Sequence, residues 1–148
     1  MAADEARVPI ATDLELARED EPEAVRLDGE RLAGVIERAA GRWKTPLAVP
    51  LMDLTIVKEW LGLALGREDA SSGTWHVADE AIPGVMPEVA ATPRLAANCE
   101  AIRRVAGRPG LFACGMCIGP FSLLTKLVSD PITPVFLAGM GGVDADVE

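Results

Sequence analysis

Residues 111–118, LFACGMCI, form a nearly continuous apolar run closed by Gly119 and Pro120. The run shows no alternation of apolar and polar positions. A strand with one wet face alternates with period two; a parallel strand covered on both faces does not. The run therefore predicts a buried parallel strand that turns at Gly119–Pro120 into a helix over 121–128. Parallel strands need long crossover connections, so the rest of the chain must supply helices and further strands.

It does so in order. Leu32, Val35, Ile36 and Ala39 recur at spacings of three and four, which predicts an amphipathic helix over 27–40, stopped by Gly41. Pro46 and Pro50 bracket a short apolar run, predicted as a strand over 47–52. Asp53 or Thr55 caps the helix that follows, 56–65, with Val57, Trp60, Leu61, Ala64 and Leu65 on one broad face. A second strand is predicted over 74–79. Thr92 as N-cap and Pro93 at the first helical position start another helix, with Leu95, Cys99, Ile102 and Ala106 as its apolar stripe. Arg103 and Arg104 suit its last turn, and Gly107 stops it. After the helix at 121–128, Asp130 caps a last one, with Pro131 at its first position and Gly139 beyond its end.

The pattern is strand–helix–strand–helix–strand–helix–helix, an α/β order with right-handed parallel crossovers. Three parallel strands close poorly, and a (β/α)₈ barrel takes roughly 250 residues. The chain has 148. The expected fold is a partial (β/α)₈ TIM barrel, the first three or so βα units, occupying 27–148 as an incomplete domain.

Residues 1–26 read differently. Between Met1 and Ala24 lie eight acidic and two basic residues, which is −6 of the chain's net −9. Charge repulsion and few large apolar groups predict a solvated, flexible acidic arm. The overall negative charge argues against a nucleic-acid partner and an anionic membrane surface. No apolar run approaches a membrane span, no basic-plus-apolar leader opens the chain, and three cysteines are an odd count. A cytoplasmic protein is expected.

Cys114 and Cys117 are spaced Cys-x-x-Cys. Both precede the predicted helix, so neither gains a helix N-terminus, and within a strand their side chains point to opposite faces. They read as small apolar fillers of a buried strand. A Cys₃His zinc site from His76, Cys99, Cys114 and Cys117 would lack the usual paired knuckles, so no metal and no cofactor is expected. His76, the single histidine, reads as structural. Asp79 closes the predicted second strand at its carboxyl end, where α/β folds collect their chemistry. No phosphate-loop, dinucleotide or nucleophile-elbow motif is present in its required context.

The stretch GMCIGPFSLLTKLVSD, from Gly115 to Asp130, resembles the uroporphyrinogen decarboxylase superfamily, in which a barrel strand ends in Gly-x-Pro-aromatic-Thr/Ser-Leu and turns into a helix. The family's glycine falls at Ile118, with Gly119 in a small-residue slot, then Pro120, Phe121, Ser122 and Leu123. TPLAVPLMDLT is similar to the family's first barrel strand, with Met52 at a methionine position, and HVADEAIP to its second-strand motif. The resemblance spans about 45–139. It implies a (β/α)₈ barrel and cofactor-free decarboxylation of tetrapyrrole acetate side chains, a step of porphyrin and haem biosynthesis. It implies Asp79 as the catalytic aspartate that stabilises a protonated pyrrole. It puts Lys126 at the active-site tyrosine, and Met52, Asp53, Met116 and Phe121 on the substrate side. The family's substrate-clamping arginines after the first strand are replaced by Asp53-Leu54-Thr55, so this chain alone is expected to be inactive. The partner is expected to be a small molecule, a tetrapyrrole or, in the superfamily's corrinoid-linked methyltransferase branch, a methyl donor. A non-catalytic product whose sheet is completed by a homo-oligomer or a complementing chain is the other alternative.

Overall fold

In the computed structural model, residues 9–77, 88 and 90–139 are described. They carry helices α1 (Thr12–Leu16), α2 (Pro22–Arg26), α3 (Gly29–Arg42), α4 (Ile56–Ala64), α5 (Pro93–Ala106), α6 (Pro120–Leu127) and α7 (Ile132–Gly139), and strands β1 (Leu47–Ala48) and β2 (Phe112–Ala113). The chain divides into two compact units, Met1–Ile56 with Ala90–Cys117, and Val57–Val89 with Ile118–Glu148.

The core of the first unit is the pairing of α3 with α5. Helix α3 begins two residues later than the sequence predicts because Asp28 is its cap, accepting from the backbone N–H groups of Glu30 and Arg31 at 2.9 and 3.0 Å. It buries Leu32, Val35, Ile36 and Ala39, as their spacing predicts, together with Ala33 and Ala40. Each large aliphatic side chain so buried contributes about 1.5–3 kcal/mol.

Helix α5 begins as predicted. The Thr92 hydroxyl accepts from Leu95 N at 3.2 Å and Pro93 takes the first position. Its buried face differs from the prediction. Ala97, Ala101 and Val105 face the core, while Cys99 is exposed. The reason is a close approach. A Cβ on Gly29 would lie 2.6 Å from Glu100 Cβ and 3.0 Å from Ala97 O. Helices this near accept alanine at the contact and leave no room for a larger stripe.

The predicted flexible arm takes another form from Thr12 onward. α1 and α2 pack Leu16 and Val25 into the same core as Leu32 and Ile36. The expected repulsion is relieved by arginines. Glu15 pairs with Arg42 at 2.5 Å, Glu21 with Arg31 at 3.8 Å, and Glu19 with Arg38. Three basic residues of α3 thus face the acids of the segment before it.

β1 and β2 pair in parallel, with Leu47 opposite Phe112 and Ala48 opposite Ala113. Phe112 N donates to Pro46 O at 2.7 Å and Cys114 N to Ala48 O at 2.9 Å. The strands are far shorter than 47–52 and 111–118. Beyond Ala48 the backbone finds other partners. The Thr12 hydroxyl donates to Val49 O at 2.5 Å, and Met52 N donates to Asp13 Oδ2 at 3.2 Å. The predicted double-sided burial of 111–118 fails for a related reason. Among the described residues β2 has one strand neighbour, and Phe112 is 68% exposed. Leu111 and Ala113 pack against the core; Cys117 is exposed and Cys114 half-buried, so the cysteines do not fill a buried strand.

In the second unit, residues 74–77 are irregular instead of a strand, and 78–79 lie outside the described residues. In α4, Lys58, Gly62 and Ala64 are buried, while Val57, Trp60 and Leu61 are half-buried. Asp130 caps α7 as predicted, accepting from Ile132 N at 2.9 Å and the Thr133 hydroxyl at 2.6 Å. Pro131 precedes that helix and Gly139 is its last residue.

Candidate functional site

Asp53 lies in the irregular stretch between β1 and α4, five residues past Ala48. Its Oδ1 accepts from Thr55 N at 3.0 Å and from the Thr55 hydroxyl at 2.7 Å, an Asx turn that leads the chain into the helix. Its Oδ2 accepts from Arg94 Nη2 at 2.5 Å, and the same nitrogen donates to Thr55 Oγ1 at 2.7 Å. Arg26 Nη1 lies 3.6 Å from Oδ2. Arg26 also reaches Asp13 at 3.9 Å and Glu23 at 3.4 Å. Two guanidinium groups, from the end of α2 and the first turn of α5, thus converge on one carboxylate.

The Asp53 side chain is only 10% exposed. Burial by itself raises a carboxyl's pKa, and it is the largest single influence here. The Thr55 hydroxyl and amide, then Arg94 and Arg26, together outweigh it, so the carboxyl titrates below its usual range. Asp53 is ionised at neutral pH and held in place. The arginines supply planar forks suited to carboxylates.

Of the residues expected from sequence, Met52 and Asp53 belong to this edge, with the Met52 side chain 43% exposed beside it in sequence. Met116 is also in the first unit and 38% exposed, in the irregular stretch after β2. Phe121 and Lys126 are in the second unit. Phe121 is 60% exposed and lines an apolar groove of about 390 Å³ with Ile132, Val135 and Phe136. Lys126 is exposed on the last turn of α6. Asp79 lies outside the described residues. His76 is exposed, and no group of three His, Cys, Asp or Glu capable of holding a metal occurs among the described residues. No described helix is long and apolar enough to cross a membrane.

Sequence reasoning missed Arg26 and Arg94. Arg26 was hidden as the end of the acidic arm. Arg94 carried a usable signal: a cation in the first turn of a helix opposes the dipole, so its presence there asks for an anionic partner elsewhere. No family model matches the chain, and no curated protein or solved structure matches it either.

Proposed function

We propose that this chain is a uroporphyrinogen-decarboxylase-like βα protein that recognises a carboxylate-bearing small molecule at the carboxyl edge of its parallel strands. Decarboxylation of tetrapyrrole acetate side chains is the reaction class the resemblance suggests. The observation that supports it is the convergence of Arg26 and Arg94 on Asp53. The sequence after the first strand lacks the arginines such recognition requires, and two other segments bring guanidinium groups to that place. In this reading Arg94 and Arg26 hold substrate carboxylate, while Asp53 and Thr55 orient Arg94. The reading draws on the parallel pairing and the βα order, not on the sequential strands of a complete barrel.

The test is an absorbance titration of the purified chain with an octacarboxylic porphyrin and with its octamethyl ester. Saturable binding of the acid alone supports carboxylate recognition. Equal binding of both, or of neither, contradicts it.

A second reading, a chain whose sheet is completed by another polypeptide, is favoured by the exposure of Phe112 on β2 at 68%. Size-exclusion chromatography over a range of concentrations tests it; a compact monomer throughout counts against it.

A further inference from the structure

We infer that the second unit contains an anion-binding platform, built by Lys58, Lys126 and Arg67 around Trp75, that takes the phosphate group of a small molecule. The inference does not rest on the carboxylate reading.

Trp75 is 4% exposed and its indole N–H donates to Ala70 O at 3.1 Å. Its ring is fixed from behind by α4. A Cβ on Gly62 would come within 2.8 Å of Trp75 Cζ2 and of Ala70 Cβ, so only glycine allows this approach. Two cations stand over the ring, Lys58 Nζ and the Arg67 guanidinium, each 5.0 Å from its centroid. Two residues on, Val77 N donates to Leu127 O at 2.6 Å. That bond ties the Trp75 segment to the last turn of α6, the turn that carries Lys126. Burial, then the charges of Lys126 and Arg67, lower the proton affinity of the Lys58 amine, against the pull of Asp69.

The charges do not balance. Lys58 is 2% exposed, and its ammonium donates to Gly73 O at 2.9 Å. Among the described residues no carboxylate forms an ion pair with Lys58 or with Lys126. Asp69 is engaged by Arg67 through Nε at 2.9 Å and Nη2 at 3.2 Å. A buried ammonium is costly, and the carboxylate that acts on Lys58, Asp69, is shared with Arg67, which leaves a local excess of positive charge in a protein of net charge −9. A bound anion removes that cost.

The donors decide the class. The face of Arg67 that matches a planar carboxylate is turned to Asp69. What remains exposed is the Lys126 ammonium, a compact point charge that suits a tetrahedral oxyanion. Lys126, exposed, makes the contact, and Lys58 supports it from beneath through its field.

The test uses the full chain and inorganic phosphate as probe, followed through the Trp75 indole N–H resonance at fixed ionic strength, assigned with Trp75→Phe. The expected result is a saturable shift of that resonance, with affinity at least about tenfold weaker in Lys126→Gln, which alters an exposed side chain and preserves the fold. Lys58→Met is expected to weaken it as well. A shift that stays linear in phosphate, or one unchanged by Lys126→Gln, overturns the platform.

Discussion

The Arg94 guanidinium donates to the Asp53 carboxylate at 2.5 Å across 41 positions of sequence, joining the start of α5 to the loop that leads into α4. Because the pair is largely enclosed, its two halves depend on each other. Removing one charge takes a charged hydrogen-bonding partner from the other.

Arg94→Gln is therefore expected to cost about 1–3 kcal/mol of unfolding free energy. Arg103→Gln, on the exposed side of the same helix, is expected to cost under about 0.5 kcal/mol. Urea denaturation with an unchanged m value checks both. Equal effects would show that the Asp53 pair contributes nothing specific.

Acid sensitivity follows from the same carboxyl. Its folded pKa is depressed below 3.8, so the unfolded chain binds the proton more readily. The pair's contribution is complete above the unfolded pKa of about 3.9 and is lost as pH falls through the lower folded value. The stability difference between the natural chain and Asp53→Asn is expected to be constant from pH 7 to about 5 and to shrink below about 4. Urea midpoints across that range give the curve; a difference that widens on acidification would refute the assignment.

Two glycines of α3 predict opposite signs. Gly29→Ala drives a methyl into Glu100 Cβ and the Ala97 carbonyl and is expected to destabilise by about 1–3 kcal/mol. Gly41→Ala meets nothing within 4 Å and is expected to stabilise by up to about 1 kcal/mol. Thermal melts of the two variants check the helix contact.

Thr92→Ala removes the cap of α5 and is expected to cost about 1 kcal/mol. Thr92→Ser should recover most of it, since the hydroxyl is what accepts from Leu95. A Ser variant as weak as Ala would assign the effect to packing instead.

These expectations mark what sequence carries. Caps are local, so Thr92 before Pro93 and Asp130 before the last helix are legible, and so is the 3.6-residue period of α3. The face of α5 is not legible locally. Leu95, Cys99 and Ile102 are the more hydrophobic stripe, but closeness at Gly29 selects Ala97 and Ala101. The acidic segment misleads for the same reason, because its counter-charges Arg31, Arg38 and Arg42 lie on a different helix. At the site, Met52 and Asp53 are expected through the family resemblance alone. Arg26 and Arg94 reach that place only through the tertiary fold.

The most direct measurement is the affinity of the octacarboxylic porphyrin for the natural chain, Arg94→Gln, Arg26→Gln and Arg103→Gln, each first shown folded by circular dichroism. Arg94→Gln and Arg26→Gln are each expected to weaken binding by about tenfold or more, as loss of a charged hydrogen-bonding partner does, while Arg103→Gln leaves it unchanged. Equal affinity in all four proteins would contradict the proposed carboxylate recognition.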